Sequence, residues 1–509
     1  MRKETERLVA LDREHTLLAH IGAVLGWDQE TYMPEKAVDE RAEQLALIEG
    51  LAHDKAVSPE IGELLRKIEG AAEHGQTKPE STKLEPAEAA FLRVLRKEYD
   101  KETKLPADLV IEMARETSVS QAVWAKARAG NDFAAFAPHL EKVIALNRRM
   151  AACLNPAAKP YDVLLDLYED GATEASIGKV FGAMRKELVE ILGKIRSRPQ
   201  VDDSFLHKPV ETEKQEKISK LLMDALGYDR KRGRLDTTAH PFTTTLGGDD
   251  VRITTKYLVD YFPSSMFSTI HESGHALYEL GIAPGPEFSG TRLADAASMA
   301  IHESQSRMWE NMIGRSKGFW KRRYSTLVEL AAPALDGVGI DAFMRGINRV
   351  EPSLIRTEAD EVTYGLHVIL RFEMESALIS GSLAVKDVPE AWNAKMKELL
   401  GVDVPDDGHG CLQDIHWSMG SFGYFPSYAL GNLYAAQFMD TMRREIPGLD
   451  AAVEEGRLDV PLAWLREKVH APGATWLPGE LVKKATGASL DPSHFTAYLR
   501  RKYGEVYGF

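Results

Sequence analysis

The spacing of apolar residues constrains this chain more than any other feature. From the start to about residue 227 they recur three and four apart, and the same rhythm returns at about Ser264 and persists to the end. That period puts apolar side chains on one face of a helix and charges on the other. It therefore predicts helix after helix packed on a shared core. Glu85 to Tyr99, Ala107 to Ala129, Phe133 to Leu154 and Glu174 to Arg196 read this way, with Gly, Pro or Asn punctuating their ends. One stretch breaks the rhythm. From Leu235 to Tyr257, β-branched Thr, Val and Ile flank the turn Gly247-Gly248-Asp249-Asp250, which predicts a short hairpin or small sheet. Loops rich in Gly, Pro and Asp are expected from Gly401 to Gly410 and around Pro472 to Pro478. The expected fold is mainly α, with one small β element just ahead of a helix at 267–281.

Length and charge narrow the function classes. A chain of 509 residues, 44% hydrophobic and 28% charged, is that of a globular protein able to bury a large core. No Ser/Gly-rich or Pro-rich linker divides it, so 1–509 is expected to form a single unit with two lobes. The net charge of -14, with Lys and Arg interspersed among acids, argues against nucleic-acid binding. The N-terminal thirty residues alternate charged and apolar positions, unlike a signal peptide, and no stretch reads as a membrane span. Two cysteines, Cys153 and Cys411, indicate no disulfide framework, so the cytoplasm is the expected compartment.

The chemistry concentrates in Phe267 to Gly281, FSTIHESGHALYELG, a helix expected to end at Gly281 in a left-handed C-cap. His271 and His275 stand one turn apart on one face, so both imidazoles can reach a single ion. Glu272 follows the first of them, on the side where a water activated by that ion would sit. With 15 His and 77 acidic residues, such a pattern arises by chance in roughly one chain of this kind in fifteen. The alternative is two ordinary helix histidines. Gly274, which costs about 1 kcal/mol of helix propensity relative to Ala, points to a close approach by another backbone or a ligand.

A catalytic zinc takes three protein ligands and leaves one position open. The next helical segment, Leu293 to Met312, contains Glu303 closely following the apolar run AASMAI. A carboxylate there is costly to bury without a cation. It could equally be an exposed Glu paired with Arg307 at i+4. His302 competes with it as ligand, and spacing does not decide between them.

Six motifs extend the pattern in order: His240-Pro241-Phe242, Asp250-Val251-Arg252-Ile253-Thr254, His271 to His275, His302 to Gln305, Ile355 to Asp360 and Gly410 to Trp417. Together with Trp27 to Thr31 and Met33-Pro34, they resemble the carboxypeptidase Taq family of metallocarboxypeptidases. The resemblance implies a nearly all-helical fold around a long, deep cleft, similar to neurolysin and angiotensin-converting-enzyme-type metallopeptidases, with 1–230 forming one side and the peptidase motifs lying in 240–424. It also implies Glu303 as the third ligand, zinc or cobalt as the metal, one ion per chain, and a homodimer. The implied activity is release of single C-terminal residues from peptides with broad tolerance. An oligopeptidase or dipeptidyl carboxypeptidase using the same metal chemistry is the alternative.

On this reading Glu272 is the general base. By the same resemblance, His416 and Tyr424 are the oxyanion donors, both side chains being able to donate a hydrogen bond. Asp414 could orient His416 or a ligand imidazole. The substrate's free carboxylate calls for a guanidinium. Arg356 is the favoured candidate; Arg252 is a second, with an ion pair to Asp250 as its structural alternative. His240 is expected to line the cleft, and an edge of the β element could pair with extended substrate.

Overall fold

The computed structural model describes residues 1–73 and 84–509. It is mainly helical, and the periodic segments are helices: Pro86–Thr103, Ala107–Gly130, Phe133–Leu154 and Glu174–Arg196. Local chemistry sets their ends. Asp132 accepts from the Ala135 N–H to start one helix, and Thr173 accepts from the Ser176 N–H to start another. Asn131 closes the helix before Asp132 in the left-handed conformation, at φ 54°.

The β-branched stretch forms one three-stranded sheet, β1 (Leu235–Thr237), β2 (Thr243–Gly247) and β3 (Asp250–Thr255), in the order β1-β3-β2. β2 and β3 make the expected hairpin, with a register shift between Thr245 and Gly247, and β1 adds to β3 in parallel. Val251 and Ile253 point inward and pack with Tyr228, Ala276 and Leu280, which seats the sheet on the helix Pro263–Glu279. β2 is left as an edge strand.

One large core runs through the helices from Ala127 to Tyr507. A smaller one joins Leu8, Leu11, Ile61, Leu65, Phe91 and Leu95 to Phe288 and Leu293. Among the described residues no helix is long and apolar enough to cross a membrane.

Two expectations need correction. Leu293 to Met312 is not one helix: Arg292–Ala294 is a single 3-10 turn, the helix begins at Met299, and Met308–Gly314 widens into a π-helix. Ser298 causes the late start, because its Oγ accepts from the Ile301 N–H as an N-cap. The helix Pro263–Glu279 is closed by Leu280 in a right-handed conformation, and Gly281 is not the left-handed cap. A Cβ at Gly281 would lie 2.6 Å from His470 Nδ1, so its small size admits that ring.

Candidate metal centre and active site

Three helices meet at the site: Pro263–Glu279, Met299–Arg307 and Phe425–Glu445. Two glycines let them approach. A Cβ on Gly274 would lie 2.8 Å from Ser306 Cα and 2.9 Å from the Gln305 carbonyl oxygen, so the close backbone approach expected there is made by the second helix. On the far side, a Cβ on Gly431 would lie 2.7 Å from Glu303 Cγ. Glu303 is thereby pressed between the other two helices.

His271, His275 and Glu303 each offer one ligand atom, and these atoms lie within 4.8 Å of one another. Glu303 Oε2 is 3.7 Å from His271 Nε2 and 3.4 Å from His275 Nε2. Burial disfavours the Glu303 carboxylate, but Arg307, His271 and His275 outweigh it and hold the group well below the usual range. Burial drives His275 down to about 3, so the ring is neutral. For His271, burial is outweighed by Glu303 and Glu310, which raise it. An anionic oxygen and two converging imidazole nitrogens are a donor set that fits a divalent cation.

The surroundings of each group are specific. Glu310, in the π-helical turn, accepts at 3.0 Å from His271 Nδ1, leaving Nε2 toward Glu303. His302 lies on the other edge of His275, Nδ1 to Nδ1, and its Nε2 is bonded to Glu279 at 2.8 Å. Arg307 Nε gives Glu303 Oε1 a 2.6 Å bond, so the i+4 pair exists, yet it joins a half-buried Arg307 to a buried Glu303 at the cluster and not on an exposed face. Glu272 is buried, which raises its carboxyl, and Thr243 Oγ1 of β2 donates to it at 2.6 Å.

The loop before Phe425–Glu445 brings His416 and Tyr424 together, ring centroids 5.5 Å apart, with Tyr428 Oη 3.4 Å from His416 Nε2. Burial lowers His416 to about 4 and raises Tyr424. Asp414 stands 4.0 Å from His416 Nδ1 and is engaged chiefly by Arg371 and Arg356. Arg356 is 5% exposed; its Nε and Nη2 donate to Asp414 and its Nη1 to Tyr364 Oη, so one edge is already taken. Arg252 makes a two-bond pair with Asp250, at 2.8 and 2.7 Å, and stacks over Trp27 of the helix Lys3–Thr31. His240 is exposed on the turn between β1 and β2, where its carbonyl accepts from Thr238.

Sequence reasoning missed Thr243, Glu310, Arg371, Glu375 and Tyr428. Arg371 and Glu375 carried a signal: charges inside the apolar run GLHVILRFEME are unexpected unless buried and paired. Beside the cluster lies a cavity of about 1130 Å³, lined by Leu18, Ile48, Tyr168, Glu279, Asp295 and His302 among others. It separates the first two helices, Lys3–Thr31 and Val38–Ala56, from the residues around the metal-site histidines.

Comparison with known proteins identifies relatives over nearly the whole chain. Residues 7–503 match the family model described as Carboxypeptidase Taq (M32) metallopeptidase. The chain is 40% identical to Thermostable carboxypeptidase 1 of Thermus thermophilus, over 99% of both chains. It is 39% identical to Carboxypeptidase 1 of Bacillus subtilis, over 95% of both. The crystal structure of the M32 carboxypeptidase from Deinococcus radiodurans R1 superposes with a TM-score of 0.94 at 38% identity, covering 100% of both chains.

Proposed function

Because this chain belongs to the carboxypeptidase Taq (M32) metallopeptidase family, we propose how its residues release C-terminal amino acids from peptides. It is a metallocarboxypeptidase. The observation that carries the residue-level reading is the convergence of His271, His275 and Glu303 beside the buried Glu272. Those three would hold one ion per chain, and two imidazoles with one carboxylate suit zinc, with cobalt accepted by the same donors. When bound, the ion supplies a Lewis acid that polarises the scissile carbonyl and acidifies water.

The protein's own groups do the rest. Glu272, steadied by Thr243, takes the proton of the attacking water and passes it to the leaving amine. His416, neutral through burial, and Tyr424, protonated through burial, donate to the oxyanion. The substrate's free carboxylate meets Arg356 at the part of the guanidinium that Asp414 leaves over, with Tyr428 stacked on it. Thr243 and Thr245 of β2 reach Glu272 and Glu279, so extended substrate pairing with that edge would run beside the histidines whatever its side chains. Such backbone recognition gives broad specificity. His240 is at the near end of that strand. Arg252 acts by stapling the first helix to the sheet through Trp27.

The whole chain works as one catalytic unit: 1–230 contributes Leu18 and Ile48 to one wall of the cavity that receives the upstream peptide. Leu17, Ile21 and Val24, with Leu47 and Leu51 on the second helix, present an exposed apolar stripe suited to a homodimer. Free Cys153 and Cys411 accord with a cytoplasmic setting.

Chelation is expected to abolish activity, and zinc or cobalt to restore it, with metal analysis giving one ion per chain. A peptide should be trimmed and its C-terminally amidated form spared. Equal cleavage of both would point to an oligopeptidase. Glu272→Gln should lower kcat by about 10²–10⁴-fold with the metal still bound; parental kcat would remove Glu272 as the base.

A further inference from the structure

Two charged side chains in the middle of an apolar helix take no part in the chemistry above. Arg371 and Glu375 lie one turn apart on Glu361–Ser380, and both are 0% exposed. They point at the segment 413–424, which carries His416 and Tyr424 and is built of turns without regular helix or strand. A segment of that kind has few backbone bonds of its own to fix its shape.

We propose that Arg371 and Glu375 are positioning residues that hold this segment so that His416 and Tyr424 aim their donors at the oxyanion, an inference that rests on the roles assigned to those two residues above. The bonds are arranged for that purpose. Glu375 Oε1 accepts from Trp417 Nε1 at 3.1 Å, and Trp417 directly follows His416. Glu375 Oε2 accepts from the Gly423 N–H at 2.9 Å, and Gly423 directly precedes Tyr424. A third donor, Tyr161 Oη at 2.9 Å, steadies the same oxygen from the helix Pro160–Asp166. One carboxylate therefore spans both catalytic positions. Arg371 anchors the start of the segment, giving Nε to Asp414 Oδ2 at 2.7 Å and Nη2 to Gln413 Oε1 at 2.7 Å. A third bond, from Nη1 to the His367 carbonyl, ties it to its own helix.

The energetics favour a positional role over a stabilising one. Burial pushes the Glu375 carboxyl up to about 7, against the opposing bonds from Gly423, Tyr161 and Trp417 and the nearby Arg371. An apolar pair of the same size would avoid that penalty. What an apolar pair would lack is directionality: four attachment points, at 413, 414, 417 and 423, set by one helix face. Oxyanion donors act within a few tenths of an ångström, and a misplacement of about 1 Å costs about 10²-fold in rate.

Glu375→Gln tests the idea. The amide has one accepting oxygen and one donating nitrogen, so either Trp417 or the Gly423 and Tyr161 pair meets a donor. The expected result is a kcat about 10- to 100-fold lower with KM little changed and metal content intact. Affinity for a phosphinic peptide, which mimics the tetrahedral intermediate, should fall by the same factor, while inhibition by a free amino acid product stays at the parental value. Adding Trp417→Phe removes the clashing donor and should restore part of the lost kcat. Parental kcat and phosphinate affinity in Glu375→Gln would overturn the proposal, as would equal weakening of phosphinate and product. Should that variant not fold, Trp417→Phe alone deletes one attachment and is expected to lower kcat several-fold; parental kcat there overturns the proposal as well. His416→Ala and Tyr424→Phe separate the two failures. If both keep parental kcat, the oxyanion assignment falls; if they lose kcat and Glu375→Gln does not, only the positioning role falls.

Discussion

The first helix, Lys3–Thr31, and the helix Phe425–Glu445 are both long and neither carries a clean apolar stripe, yet they occupy opposite environments. Sixteen of the 21 residues of Phe425–Glu445 are buried, against seven of 29 in Lys3–Thr31. The later helix lacks a polar face because neighbours surround it. The first lacks a single apolar stripe because its apolar residues are split between faces: Leu18 lines the cavity, while Leu17 is 62% exposed. A missing stripe thus has two physical meanings. In the buried helix Gly431 meets Glu303 and Tyr434 bonds to Glu169; in the first helix Leu17, Ile21 and Val24 face outward.

Gly431→Ala should strain this contrast most. Its Cβ would sit 2.7 Å from Glu303 Cγ, so the helices must separate or Glu303 must move. A destabilisation of about 1–3 kcal/mol is expected, together with weaker metal retention in dialysis against chelator. Unchanged unfolding and metal affinity would mean that the crossing is looser than its geometry indicates.

A second test uses pH. Tyr434, on the same buried helix, donates at 2.7 Å to Glu169, whose carboxyl burial raises to about 7. The folded state therefore binds this proton more tightly than the unfolded chain does. The stability it contributes is complete below the ordinary Glu value and is lost as pH rises through about 7. Glu169→Gln should remove that slope. Relative to the parent, the variant should gain up to about 3 kcal/mol between pH 4.5 and pH 8 in urea unfolding; an equal difference at both pH values would show that Glu169 does not titrate in this range.

The smallest effect on stability is expected on the first helix pair. Leu17→Ser with Leu47→Ser changes residues that are 62% and 65% exposed, and unfolding should move by no more than about 0.5 kcal/mol. As residues of the proposed homodimer seam, the same pair should lower the sedimentation mass without altering kcat per chain. A large loss of stability with no change in mass would make this stripe core and erase the contrast.

Legibility followed the range of the forces involved. Phe133–Leu154 and Glu174–Arg196 were readable to the residue because caps and periodicity are local. The hairpin was readable from its Thr-rich strands and Gly-Gly-Asp-Asp turn, whereas the parallel addition of β1 was not, since it is a pairing across the intervening β2. The break before Met299 went unseen because an isolated Ser298 cap is weaker in sequence than the apolar run around it.

At the site the division is the same. The sequence by itself determined a mainly helical chain, two imidazoles on one helical face with an acid between them, and the family its motifs resemble, because all of these depend on spacing along the chain. Only the tertiary structure decided that His302 turns to Glu279 while Glu303 faces both histidines. It alone revealed that Glu310 holds His271, that Asp414 occupies one edge of Arg356, and that Arg371 and Glu375 reach the loop of His416 and Tyr424. Each of these depends on which buried charge meets which partner across 39 to 58 residues or on how a side chain turns, and desolvation makes such pairings obligatory without making them visible in the order of residues.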